Sequence, residues 1–323
     1  MPAGPATLQV PLAAIRLVTL MITRRTLLHT ALSATALAAA PPLSAASSKR
    51  SFKLKLAPHL GQFVAHAGTS VVDQLKFMAD EGLTALEDNG MMQRSPAEQE
   101  TIARTMQQLG MSLGVFVVAV GGNENKLFTT GENDNPQKFA KACQDAVAVA
   151  KRVNAKWMTV VPGVFTRNLP IGIQTANTID VLRAGAEVFE RENLVMVLEP
   201  LADSPNLFLR TADQAYEICR AINSPACKIL FDMYHLQQNQ GSIIASIDQT
   251  WNEIGYFQMG DVPGRLWPGT GEMNYVNIFK HVTKKMRENG RDFIFGMEHG
   301  PWKPDKVGER ACIESYIAID AAL

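Results

Sequence analysis

From residue 52 onward, short apolar runs alternate with longer amphipathic ones, and the pair repeats eight times. Strands are expected at 52–58, 84–88, 112–118, 157–161, 195–199, 228–232, 254–258 and 293–298, where β-branched and aromatic residues fill runs too short for helices. Helical spacing of apolar residues occupies the gaps, at 71–81, 96–109, 136–153, 171–191, 212–222, 242–252, 276–289 and 309–321. Eight strand–helix units in roughly 270 residues are the count and size of an α/β fold of the (β/α)8 TIM barrel type, organised as a single domain. A doubly wound open sheet is the competitor. It would usually carry a glycine-rich phosphate loop after its first strand, and Pro58-His59-Leu60-Gly61 is not one.

The N-terminal stretch follows different rules. Arg24-Arg25 precede an Ala/Leu-rich run that ends at Pro41-Pro42, and Ala45-Ala46 form a small-residue cleavage site, the layout of a twin-arginine export signal. Residues 1–46 are therefore expected to be a removed leader, with Met21 as its start, and 47–323 the barrel. On this reading the partner is the twin-arginine export machinery and the destination is periplasmic. A retained membrane anchor is the lesser alternative, because the apolar run is short for a span and ends in prolines. Cys143, Cys219, Cys227 and Cys312 lack any C-x-x-C spacing and are expected as buried free thiols, with a disulfide left open by an oxidising compartment. Lys and Arg balance Asp and Glu at 31 each, which argues against a nucleic-acid or anionic-membrane surface.

Chemistry-bearing side chains gather where strands end. The fifth strand closes on Glu199, the sixth on Asp232, the seventh on Gln258 and the eighth on Glu298. A barrel presents its catalytic groups at these ends. With a side-chain period of two, Val195, Val197 and Glu199 share a face, as do Leu230 and Asp232, Tyr256 and Gln258, and Ile294, Gly296 and Glu298. A single Asp or Glu closing a strand more often caps the next helix. Four consecutive units ending alike are harder to read that way. Three carboxylates facing one half-buried space would repel one another, and a divalent cation resolves the conflict. Oxygen-only ligation by Glu199, Asp232, Gln258 and Glu298 suits Mg²⁺ or Mn²⁺. His235, just past its strand, is expected to touch substrate. Glu87 and Asn89 after the second strand, and His59 and His66 around the first loop, are weaker signals.

The longest loop, 258–275, holds Pro263, Pro268 and four glycines together with Asp261, Arg265 and Glu272. Ordered loops of this length are usually functional. Arg265 is suited to a substrate carboxylate or oxygen, and Asp261 or Glu272 to orienting His235 or substrate hydroxyls. Trp267 and Trp302 offer faces for a sugar, or plain packing.

Taken together, Glu199-Pro200, Asp232-x-Tyr234-His235, Gln258-x-x-Asp261-x-Pro263-Gly264-Arg265-x-x-Pro268-Gly269-x-Gly271-Glu272-x-x-Tyr275 and Gly296-x-Glu298 resemble the hydroxypyruvate isomerase group of the xylose isomerase-like TIM barrels. The likeness runs from about residue 52 to the end. It implies a metal on Glu199, Asp232, Gln258 and Glu298, the two glutamates as acid/base pair, and His235, Arg265, Asp261, Glu272 and Glu87 around a small carbonyl or sugar substrate. The chain departs from the group after the last strand, where His299-Gly300-Pro301-Trp302 stands in place of a Tyr-x-Pro continuation. The implied reaction is isomerisation through an enediolate, with 3-epimerisation or β-elimination as alternatives from the same intermediate. A non-catalytic exported carbohydrate-binding protein and a phosphodiester-cleaving enzyme are the competitors from other classes. Self-association into a homo-oligomer is compatible with the pattern.

Overall fold

The structure is a computed structural model and describes residues 50–300 and 303–323. The twin-arginine leader and its paired arginines lie outside the described residues. Strands β1 (Lys55–Ala57), β2 (Ala85–Leu86), β3 (Ser112–Leu113), β4 (Val115–Val117), β5 (Trp157–Val160), β6 (Val195–Leu198), β7 (Cys227–Asp232), β8 (Ile254–Gln258) and β9 (Ile294–Gly296) are all paired in parallel. Seven run in the order β1-β9-β8-β7-β6-β5-β4, and β2 pairs with β3. β3 and β4 are two halves of one strand interrupted at Gly114, whose N–H donates to Leu86 O at 2.7 Å. The ring closes between β1 and β2, where His59 bridges Glu87 and the Glu87 N–H reaches Pro58 O at 2.9 Å. The fold is thus the expected (β/α)8 barrel.

Helices α1 (Val64–Ala67), α2 (Val71–Asp80), α3 (Pro96–Leu109), α4 (Asn135–Val153), α5 (Ile171–Glu190), α6 (Ala212–Ile222), α7 (Met233–Asn239), α8 (Ile243–Thr250), α9 (Tyr275–Asn289) and α10 (Lys306–Ala322) complete the units. Their ends follow local chemistry. Ser95 and Glu98 form a reciprocal capping box at α3, with Pro96 in the first turn, and Gly110 closes that helix in the left-handed region. The short α1 and α7 interrupt loops that periodicity alone leaves unassigned. α7 forms because Asp232 Oδ1 accepts the Tyr234 N–H at 2.7 Å and so caps it.

Two apolar layers result. The larger packs the outward faces of the strands against the helices. The smaller takes one residue from each of several strands, Ala57, Ala85, Val115, Val197, Leu230, Tyr256 and Ile294, and is the filled barrel interior. All four cysteines are buried and free. Among the described residues no helix is long and apolar enough to cross a membrane.

The break at Gly114 has a packing cause. A Cβ there would overlap the Tyr256 hydroxyl, which crosses the barrel interior. Gly114→Ala should therefore destabilise the protein by about 1–3 kcal/mol in urea unfolding. Adding Tyr256→Phe should recover part of that loss, and equal stability of the Ala variant and the parent would contradict this packing.

Candidate active site

The interior layer sets where the polar side chains emerge. Val197 and Leu230, Tyr256 and Ile294 point into the barrel, so residues on the same faces further along reach its C-terminal mouth, two positions on for Glu199, Asp232 and Gln258 and four positions on, past Gly296, for Glu298. Glu199, Asp232 and Gln258 arrive there buried, while Glu298 keeps 19% of its side chain exposed. The same parity carries Ala57 to His59 and Ala85 to Glu87.

Each of these groups is held on one side and open on the other. Asp232 spends Oδ1 on the α7 cap, and its Oδ2 is buried without a hydrogen-bond partner. Glu298 Oε1 accepts from Asn89 Nδ2 at 3.1 Å, and its Oε2 is likewise unpartnered. The Gln258 amide nitrogen donates to Glu87, leaving Gln258 Oε1 without a partner. Three oxygens without a hydrogen-bond partner, two of them facing the Arg265 guanidinium, gather with Glu199. The donor set fits an oxygen-preferring divalent cation.

Electrostatics agree with this crowding. Burial, then Glu298 and Asp232, push the Glu199 carboxyl well above its ordinary range. Burial above all raises Asp232 to about 6, with Arg265 and two backbone amides pulling the other way. Glu298 is raised to about 7 by burial and by Asp232, opposed by Arg265.

Arg265 is aimed into this space. Its Nη2 lies 3.2 Å from Glu298 Oε2 and 3.6 Å from Asp232 Oδ2, and its guanidinium sits 5.0 Å from the centre of the Tyr234 ring. Its backbone is left-handed, with φ of 49°, an uncommon state for a side chain of this size. His235 is fully buried and held neutral, its pKa lowered to about 4 by burial and then by Arg265. The Ala202 N–H donates to His235 Nδ1 at 3.1 Å, and Arg265 Nη2 stands 3.1 Å from Nε2. That nitrogen faces Asp232 Oδ2 at 3.5 Å and Glu199 Oε1 at 3.9 Å. Donor atoms of Glu199, Asp232 and His235 lie within 4.8 Å of one another, close enough to hold a metal ion.

Other side chains singled out by sequence take different places. Asp261 does not orient substrate. It is buried, and its carboxylate accepts the N–H groups of Val262, Gly269, Gly271 and Met273 at 2.8–3.1 Å, so every lone-pair direction goes to folding its own loop. Glu272 is exposed and accepts from Gln237 Nε2 at 3.2 Å. Glu87 is fully buried among Gln258, Tyr256 and His59. Trp267 is buried in the core, and Trp302 lies outside the described residues. His66 pairs with Glu309 at 2.6 Å and joins α1 to α10. Tyr256, whose hydroxyl donates to Glu87 at 3.1 Å, was not legible as a polar participant. Its signal was its position, two residues before Gln258 on the inward face.

A model of the xylose isomerase-like TIM barrel matches residues 75–313. The chain belongs to the xylose isomerase-like TIM barrel family. It is 28% identical over 180 residues to hydroxypyruvate isomerase of Escherichia coli (strain K12), covering 54% of this chain and 67% of the relative. It is 27% identical over 240 residues to 2-oxo-tetronate isomerase of Pectobacterium atrosepticum, covering 71% and 86%. The crystal structure of an AP endonuclease, family 2, from Brucella melitensis superposes with a TM-score of 0.68 at 20% identity, over 79% of this chain and 96% of that one, a likeness of fold alone. Within the family, the named relatives indicate an isomerase.

Two outcomes follow from the site. Asp232 and Glu298 hold protons in the folded, metal-free protein that the unfolded chain has released between their ordinary values, 3.8 and 4.5, and about 6 and 7. Folding stability should therefore fall as pH rises through that window. Glu298→Gln should flatten the decline in urea unfolding of chelator-treated protein, and a slope unchanged by the substitution would refute the assignment. Asp261→Ala strands four amides, so it should cost at least about 2 kcal/mol and open 261–273 to limited proteolysis.

Proposed function

We propose that this protein is a divalent-cation-dependent isomerase of a small α-hydroxycarbonyl or sugar substrate, working through an enediolate in the manner of hydroxypyruvate isomerase. The observation that carries the reading is the set of unpartnered oxygens on Asp232, Gln258 and Glu298 beside Glu199. A Mg²⁺ or Mn²⁺ held by these four residues would polarise the substrate carbonyl and stabilise the negative charge of the enediolate. One of Glu199 and Glu298 removes the proton from the hydroxyl-bearing carbon, and the other returns a proton to the neighbouring carbon. Return to the opposite face of the original carbon gives epimerisation instead, and loss of a β-substituent gives elimination.

The remaining residues bind and orient. His235, held neutral, contacts a substrate oxygen, and Arg265 takes a substrate carboxylate or carbonyl oxygen. Zero net charge and the oxygen-rich donor set speak against a phosphodiester substrate, which would favour a basic surface and histidine-rich metal centres. The substrate class is supported by the named isomerase relatives. The periplasmic location and passage through the twin-arginine machinery rest on the sequence of residues 21–46.

The test is deuterium incorporation from D₂O into a panel of hydroxypyruvate, α-hydroxyaldehydes, ketoses and 3-keto sugars, with products identified by NMR. Exchange with a moved carbonyl identifies the isomerase, exchange with inversion alone the epimerase, and no exchange with Mn²⁺ present refutes the enediolate. Glu199→Gln and Glu298→Gln should each lower turnover by about 10²- to 10⁴-fold, whereas Arg265→Ala should chiefly raise KM. Adding Mn²⁺ to chelator-treated protein should raise Tm more at pH above the carboxylate window than below it, because protons compete for the same oxygens.

A further inference from the structure

Gln258 is an unusual donor because only one end of its amide can serve a cation. Seen alone, the side chain could turn either its oxygen or its nitrogen toward the mouth, and the nitrogen would repel a positive ion. What decides between them lies on the far side of the side chain. Glu87 is fully buried on the strand face that includes Ala85, and its Oε1 is the acceptor for Gln258 Nε2. Its other oxygen accepts from the Tyr256 hydroxyl at 3.1 Å, and His59 Nε2 stands 3.5 Å from Oε1. A carboxylate ringed by donors can only accept, so the amide must offer it N–H groups and turn the oxygen away. Space for this arrangement comes from Gly296, since a Cβ at that position would overlap Glu87 Oε2 and crowd Gln258.

We infer that Glu87 is a positioning residue, neither ligand nor substrate contact, which locks the Gln258 amide with its oxygen toward the cation. This rests on the cation-dependent reading above. Glu87→Gln replaces the obligate acceptor with an amide of nearly the same shape, which can donate to Gln258 Oε1 and so let the Gln258 nitrogen face the ion. The exchange Glu87→Gln/Gln258→Glu reverses the hydrogen bond while conserving total charge, and it leaves a carboxylate at 258 whose two ends are both oxygen.

Mn²⁺ affinity of the chelator-treated protein, measured by titration calorimetry, separates these roles without recourse to turnover. Glu87→Gln should weaken Mn²⁺ binding by about 10- to 100-fold, the range for partners that orient a metal ligand, and the exchange should restore most of it. A residue that merely held the fold would lower Tm in the metal-free state without this reversal. Binding by Glu87→Gln equal to that of the parent overturns the inference and leaves the cation reading standing. Failure of the parent itself to take up Mn²⁺ removes both. If Glu87→Gln does not fold, the exchange variant alone decides, and its failure to bind Mn²⁺ within a few-fold of the parent overturns the lock.

Discussion

Repulsion among buried carboxylates is the constraint around which this barrel's mouth is built. Glu199, Asp232 and Glu298 are brought together by strand ends, and each is raised above its ordinary pKa first by the loss of water and then by a neighbouring carboxylate, Glu298 for Glu199, Asp232 for Glu298 and Glu87 for Asp232. Such a cluster is tolerated only where compensating charge arrives. Arg265 supplies part of it from the long loop, and Asn89 satisfies one oxygen of Glu298. The oxygens left over all face the same space. A protein that sought only stability would place apolar side chains at these strand ends, as it does one layer below.

That layer explains why so much of the site can be read from the chain. Strand alternation is a rigid rule, so once Val197, Leu230, Tyr256 and Ile294 are committed to the interior, the residues two steps on, or four in the case of Glu298, must reach the mouth. The eight units were legible for the same reason, since hydrophobic period distinguishes strand from helix over these lengths. Asp232 shows how a bland and a functional reading can both hold. One carboxylate oxygen caps α7 while the other turns to the cluster, so capping and ligation do not compete.

What stayed illegible depends on pairs far apart in sequence. Glu87 has the residue type and strand position of a substrate contact, yet its surroundings are decided by a missing side chain at Gly296 and by Tyr256 on a third strand. Asp261 was equally opaque. Nothing in its immediate sequence announces that the amides of residues 262, 269, 271 and 273 will converge on one carboxylate. Convergence of that kind is a property of a folded loop, not of a motif.

The same loop accounts for the strained backbone at Arg265. A left-handed, long-chained residue costs of order 1–3 kcal/mol and persists only where its neighbours over-determine it. Here the Arg265 N–H donates to Asp261 O at 2.8 Å, its carbonyl accepts from Gly300 at 3.1 Å, and Tyr275 anchors Gly260 from below. These anchors hold the main chain, and the guanidinium is tied separately, Nε donating to Glu298 O at 3.3 Å. The side chain therefore meets a conflict that the backbone does not share. Nη2 lies 3.1 Å from His235 Nε2 while the Ala202 N–H donates to Nδ1, and a neutral ring cannot accept at both nitrogens. A substrate oxygen entering that space would accept from Arg265 and so relieve the conflict, because it supplies the acceptor that the two nitrogens lack.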